Sequence, residues 1–344
     1  MTHLLHSSAR LTLNFGSTSH SEIEQCEHAI LFSPIKPRAP LIIAFGAWNQ
    51  HGPGRFEWWG VLQRVYQLTA PFNLILIRDK HNSWYQRGIE ELGADATEVA
   101  HSLHALIQQI EPSQVITLGA SMGAYAAMLW GALLKVNAVL AFAPLATLEP
   151  ATLRTLGEWR WLSIMDALAA NPPRILFKDL PALLNATTSA TEFYVLYGHA
   201  LEFNKPNLDP KHAELLGQAS NVYLHCVSLA SHAIAYQFKQ HGMLEPLLLE
   251  LLERNFALTP PQDYARYTPR QRRQIQLSWL ARAQFLPSIQ LETRYWIAEE
   301  LSAGKTPAAI FNALIAVGWP EDVILEGVYS SHYWWRQRQS EGGL

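Results

Sequence analysis

Four short apolar runs limit how this chain can fold. They are "APLIIAFGA" (39–47), "FNLILIRD" (72–79), "QVITLGA" (114–120) and "VNAVLAFAP" (136–144). Each is apolar at successive positions, as expected of a strand covered on both faces. Between them lie helical stretches at 56–68, 94–110 and 123–134, the second with Leu103, Leu106, Ile107 and Ile110 on one side. "TEFYVLYG" (191–198) and "NVYLHCVSL" (221–229) add two further strands. Strands alternating with helices predict the α/β class: a mostly parallel sheet flanked by helices and joined by right-handed crossovers. Ahead of this pattern, "ARLTLNF" (9–15) and "HAILFSP" (28–34) read as early antiparallel strands.

The segment 149–190 is about twice the usual crossover length and contains "EWRWL" and "DLPALL"; it reads as a small helical cap inserted in a domain spanning 1–256. "TPPQDYARYTPRQRRQ" marks a Pro- and Arg-containing linker over 257–287, with Arg266, Arg270, Arg272 and Arg273 as a solvated cluster. Beyond it, 288–344 carries helix punctuation. Gly304 ends one helix, Thr306–Pro307 caps and starts the next, Gly318 closes it, and Pro320 begins a third. This three-helix module is similar to UBA-like segments, a resemblance that implies a protein partner.

Composition excludes several classes. Hydrophobic residues make up 49% and charged residues 16% of the 344 positions, enough for a large core. A net charge of −3 gives no reason to expect nucleic acid as a partner. Two cysteines, Cys26 and Cys226, make no disulfide framework. The first residues do not read as a signal peptide, and no run of about 18 apolar residues suggests a membrane span. The expectation is therefore a cytoplasmic protein. His101 and His104 lie three apart on a helix, but no third metal ligand is evident, so neither metal nor cofactor is expected.

"GASMG" (119–123) sits where a buried strand should turn directly into a helix. Such a turn brings the residues two before and two after its apex so close that side chains would collide. Gly119 and Gly123 remove that collision, leaving Ser121 projecting from the strand end. The helix that follows aims free N–H groups and the positive end of its dipole at the same spot, which makes the Met122 N–H a natural oxyanion donor.

Through this G-x-S-x-G pattern in its strand–helix context, with the strand order in support, residues 9–256 resemble the α/β-hydrolase superfamily. "RDKHNSWYQRG" (78–88), "LGASMGAYAAMLWGALL" and "AFAP" also look like a bacterial branch of hydrolases, some linked to surface polysaccharide. The resemblance implies a nucleophile, acid and histidine in that chain order. A free hydroxyl needs a base, and His232, just beyond "NVYLHCVSL", is the expected one; His225 falls within the strand and His241 later. The acid should follow "TEFYVLYG", where Asp209 is favoured over Glu202. Its role is to hold the imidazole tautomer and stabilise the imidazolium. A second oxyanion donor is implied in the loop after "LIIAFGA", with Ala47 first and Trp48 next. "HGPG" (51–54) reads as a turn. Trp48, Trp84 and Tyr85 are candidates for the substrate pocket, and Asp79 for a structural ion pair. Together these imply a serine hydrolase acting on a small-molecule or carrier-linked acyl ester or thioester. The same residues could serve an acyltransferase, and the rival reading is a non-catalytic scaffold of the same fold.

Overall fold

The apolar runs become the strands of one seven-stranded sheet. The structure, a computed structural model, describes residues 13–69, 71–173, 177–187, 190–198, 207–227, 230–240, 244–252, 296–297, 300 and 303–318. The strands are β1 (Ile30–Phe32), β2 (Leu41–Phe45), β3 (Asn73–Ile77), β4 (Val115–Ala120), β5 (Ala138–Phe142), β6 (Glu192–Gly198) and β7 (Val222–Val227). Their order is β1-β3-β2-β4-β5-β6-β7. β1 runs antiparallel to β3, while the pairs β2–β3, β2–β4, β4–β5 and β5–β6 are parallel. The α/β class and the mostly parallel sheet are as expected. β2, β3 and β5 are buried at every position, because helices cover both faces.

The helices are α1 (His20–Glu24), α2 (Trp59–Leu68), α3 (Ala96–Ile110), α4 (Met122–Leu134), α5 (Pro150–Leu156), α6 (Leu162–Ala170), α7 (Leu180–Ala186), α8 (Asp209–Leu216), α9 (Ile234–Gln240), α10 (Leu244–Leu252) and α11 (Pro307–Ala316). α3 starts two residues later than the periodicity suggests. Asp95 caps it, its carboxylate accepting from the Thr97 and Glu98 N–H groups. α4 is buried all round, from Met122 to Ala132, so it lies in the core rather than on a solvated flank. α5, α6 and α7 occupy the long segment between β5 and β6.

The chain packs as two units, Met1–Leu196 with Leu208–Tyr223, and Tyr197–Asn207 with Leu224–Leu344. In the second unit the Thr306 hydroxyl accepts from the Ala309 N–H at 3.2 Å, and Gly304 and Gly318 adopt φ of 85° and 89°. That is the punctuation expected around α11. Pro320, the linker and its arginines lie outside the described residues. No described helix is long and apolar enough to cross a membrane.

Of the expected first strand, residues 9–12 lie outside the described residues. Residues 13–15 of that stretch are described, and they enter a turn instead. The Leu13 N–H donates to the Phe32 carbonyl at 2.8 Å, then the Asn14 carbonyl accepts from both the Ser17 and Thr18 N–H groups. Asn14 and Thr18 favour that local turn over a ladder, the Thr18 hydroxyl accepting from the Asn14 N–H.

Candidate active site

The turn at Ser121 is built by backbone packing. β4 ends at Ala120 and α4 begins at Met122, which leaves Ser121 alone at the apex with φ 51° and ψ −117°. Non-glycine residues rarely adopt such a conformation, and holding one costs of order 1–3 kcal/mol. Two hydrogen bonds fix it: the Ser121 N–H donates to the Phe142 carbonyl at 2.8 Å, and the Ser121 carbonyl accepts from the Tyr125 N–H at 3.1 Å. Ser121 itself is only half-buried.

The flanking glycines are dictated by contact distance. A Cβ at Gly119 would lie 2.1 Å from the Gly123 carbonyl oxygen. One at Gly123 would lie 2.3 Å from the Phe45 oxygen and 2.8 Å from that of Gly46. No side chain fits, so the start of α4 rests directly on the end of β2. Met122 opens the helix, where first-turn N–H groups have no carbonyl partner within the helix.

The loop after β2, where a second oxyanion donor is expected, therefore starts beside the turn. The Ala47 N–H, however, is engaged: it donates to Glu57 Oε1 at 2.7 Å. Next to Glu57, the Trp58 indole N–H donates to the Phe45 carbonyl at 2.9 Å. Residues 57–58, at the entry to α2, are thus fastened onto residues 45–47. Glu57 as a residue is half-buried, and burial of its carboxyl pushes it up to about 7 against the Ala47 hydrogen bond, its own N–H and the Arg55 charge. Nothing local in the sequence around "FEWWG" signals this contact.

Tyr85 belongs to the core instead of lining a pocket. It is fully buried, its ring packed edge-on against Phe45 and Trp130, and its hydroxyl donates to the Gly46 carbonyl at 2.8 Å. Burial first, then the Asp79 and Glu57 charges, raise its ionisation well above the usual tyrosine range. Asp79 is also corrected. Its carboxylate accepts the N–H groups of His81, Ser83 and Tyr85 and the Ser83 hydroxyl, so backbone donors, not a cation, hold it. This anchor holds a loop in which Asn82, Trp84 and Tyr85 have φ of 50°, 53° and 59°. Asn82 ties it to the "HGPG" turn by donating to the Asn49 and Gly52 carbonyls. Trp84 is fully buried, and both it and the half-buried Trp48 meet Trp161 edge-on, with centroids 5.2 and 5.4 Å away. Trp161, from the segment before α6, joins the two expected pocket tryptophans.

Asp209 is the first residue of α8, 1% exposed, and its Oδ1 accepts from Arg160 Nη1 at 2.8 Å. Arg160 also clasps Glu158, with Nη2 to Oε2 at 2.6 Å and Nε to Oε1 at 3.0 Å. Glu158 Oε2 accepts in turn from His212 Nε2 at 3.2 Å, and His212 Nδ1 accepts from the Ala146 N–H at 3.2 Å. Those two bonds fix His212 as the neutral tautomer protonated at Nε2. Burial opposes ionisation of Glu158, but the hydrogen bonds from His212 and Arg160 outweigh it and hold the carboxyl down at about 2. This buried network was not foreseen. Its signal is "EWR", a charged pair set among tryptophans.

His232 sits half-buried in the turn before α9. The Ser231 hydroxyl accepts from the Ala233 N–H at 3.2 Å, and Gln237 Oε1 accepts from the Ser231 N–H at 3.0 Å, which sets that turn. Gly198, at the end of β6, lies against the same loop: a Cβ there would be 2.0 Å from the Ala230 oxygen. His225 is buried within β7. Glu202 and His241 lie outside the described residues. Among the described residues no cluster of three or more His, Cys, Asp or Glu side chains is placed to hold a metal ion.

The sequence matches no protein-family model and no curated protein. Among solved structures, the chain is similar to a glycosylation-associated protein complex from Streptococcus agalactiae. That likeness has 16% identity and a TM-score of 0.46, over 66% of this chain and 44% of that one, so the chain spans under half of that protein's length. It is similar to the capsule O-acetyltransferase of Neisseria meningitidis serogroup A at 17% identity and a TM-score of 0.43, over 63% of this chain and 90% of that one. It is also similar to an α/β hydrolase from the metagenome of lagoon sediments at Mar Chica, Morocco, at 15% identity and a TM-score of 0.43, over 67% and 99%.

Proposed function

We propose that this chain is a serine hydrolase that transfers an acyl group from an ester or thioester onto Ser121 and then to water. One observation carries the reading. Ser121 is a non-glycine residue held at φ 51° between two glycines that tolerate no side chain, half-exposed at the N-terminus of a buried helix. Strain of this kind persists where the surroundings impose it, and it concentrates at working sites.

In this reading the Ser121 hydroxyl attacks the acyl carbon while His232 takes its proton. The carbonyl oxygen becomes an oxyanion facing the Met122 N–H. The bond to the leaving alcohol or thiol then breaks, and His232 returns the proton to that group. Water repeats the sequence on the acyl-enzyme, restoring Ser121 and releasing the acid. An alcohol in place of water gives acyl transfer by the same steps. Asp209 is the orienting acid in this reading. Its burial and the Arg160 contact give it a fixed position.

The test is covalent labelling with a fluorophosphonate, followed by a panel of acyl esters and thioesters of graded chain length. Wild type is expected to be labelled, and Ser121→Ala and His232→Ala to lose the label while melting normally. Failure of folded wild type to label overturns the reading in favour of a binding scaffold.

A further inference from the structure

The geometry points to Glu57 as a built-in competitor for the oxyanion site: its carboxylate occupies the Ala47 N–H in the resting protein, and the reacting oxygen must displace it. This inference rests on the proposed Ser121 chemistry and adds a regulating residue to it.

Three contacts place the competitor. The start of α4 rests on the Phe45 and Gly46 carbonyls, and we take the N–H of the next residue, Ala47, as the second donor to the Ser121 oxyanion. Glu57 Oε1 accepts from that N–H at 2.7 Å, the length of a charge-assisted bond. The second oxygen lies alongside as well, since a Cβ on Gly46 would be 3.4 Å from Glu57 Oε2. A carboxylate seated in this way presents to the Ala47 N–H the same negative oxygen that a tetrahedral intermediate presents.

The peptide itself does not need Glu57 to keep its place. The Tyr85 hydroxyl holds the Gly46 carbonyl and the Trp58 indole holds the Phe45 carbonyl. Release is open to the side chain, because Ala47, Trp48 and Asn49 are half-buried and Gln50 is exposed.

Protonation decides how firmly the competitor holds. A charged acceptor binds an N–H about twice as strongly as a neutral one, and a charge beside the site also repels a developing oxyanion. The groups facing the Glu57 carboxyl are Arg55 from its own segment and Tyr85 from the loop after β3, with Asp79 behind Tyr85. Tyr85 stays neutral across the working range, and the start of α4 (Met122, Gly123, Ala124) contributes no titratable side chain. Burial places the Glu57 transition at about 7. Below that the competitor is neutral and easily displaced; above it the ion holds.

The experiment measures the rate of Ser121 labelling by a fluorophosphonate between pH 5 and 9.5. In that reaction the Ser121 Oγ–P bond forms as the P–F bond breaks, fluoride leaves, and the hydroxyl proton passes to the base. The phosphoryl oxygen takes the oxyanion position, so no natural substrate is needed. Wild type is expected to show a rate that falls as Glu57 ionises. Glu57→Gln is expected to lose that falling limb and to label on the order of 10-fold faster than wild type at pH 9. Glu57→Ala should behave likewise, and melting curves establish that both variants fold. If wild type labels at Ser121 but both variants are slower at every pH, or keep the same falling limb, Glu57 is not a competitor and the serine chemistry still stands. If wild type shows no Ser121-dependent labelling, the chemistry and the competitor fall together.

Discussion

Replacing Arg160 by Met tests the account of the buried charges most directly. The Arg160 side chain is 5% exposed and lies between two carboxylates, Glu158 at 0% and Asp209 at 1%. Met fills a similar volume without donors. The variant therefore leaves two acids buried side by side, one still bonded to His212 and the other without its guanidinium. Removing one partner from a buried ion pair costs about 3–5 kcal/mol, which for a domain of this size lowers the melting temperature by on the order of 10 °C.

The loss should depend on pH, and the sign follows from Glu158. Its folded ionisation lies at about 2, below the ordinary 4.5. Its contribution is therefore present above about 4.5 and is lost as pH falls towards 2. Without Arg160 the buried carboxyls take up protons more readily, so the deficit of the variant should narrow by about 1 kcal/mol or more between pH 7.5 and 4.5. Urea unfolding followed by tryptophan fluorescence at the two pH values gives both numbers. A triple variant, Arg160→Met with Glu158→Gln and Asp209→Asn, should regain much of the loss. A single variant within about 1 kcal/mol of wild type at pH 7.5, or a deficit that ignores pH, would refute the reasoning.

Two further outcomes follow from the same geometry. Gly123→Ala forces a methyl to 2.3 Å from the Phe45 oxygen. With backbone on both sides of the clash, it should cost about 3 kcal/mol or more and slow Ser121 labelling, as read by urea unfolding and probe kinetics. Glu57→Gln should gain stability over wild type as pH rises. Burial lifts the folded carboxyl from 4.5 to about 7, so wild-type stability is full below 4.5 and declines by about 3 kcal/mol through pH 7. Parallel melting curves at pH 4.5 and 8 check it, and an unchanged difference between the two proteins would count against a raised Glu57 carboxyl.

The sheet was legible because its strands are covered on both faces, and such strands leave unbroken apolar runs. The Ser121 turn was legible for a local reason too: the glycines at 119 and 123 answer a clash within five residues of chain. The cap of α11 at Thr306–Pro307 follows equally short-range rules. What escaped the sequence is long-range or polar. The Glu57–Ala47 bond joins residues ten apart with no pattern between them. The Glu158–Arg160–Asp209–His212 network gathers a loop after α5, the start of α8 and a residue one turn further on, so no window of sequence contains it. Asp79 was expected beside a cation because it is charged, but a loop of left-handed residues turned three backbone N–H groups towards it instead. The stretch at 9–15 alternates like a strand, yet at 13–15 it yields to the turn formed by Asn14 and Thr18.

The Phe45 carbonyl has two neighbours that matter mechanically. The Trp58 indole pulls on it from the approach to α2, and Gly123 presses on it from the base of α4. A joint of this kind couples the two helices through one carbonyl, with a single indole ring on one side of it and bare main chain on the other. A push on α2, from a mutation on its outer face or a molecule resting there, would reach Ser121 as a shift in aim, and a screen for remote inhibitors of this protein would do well to begin on that helix.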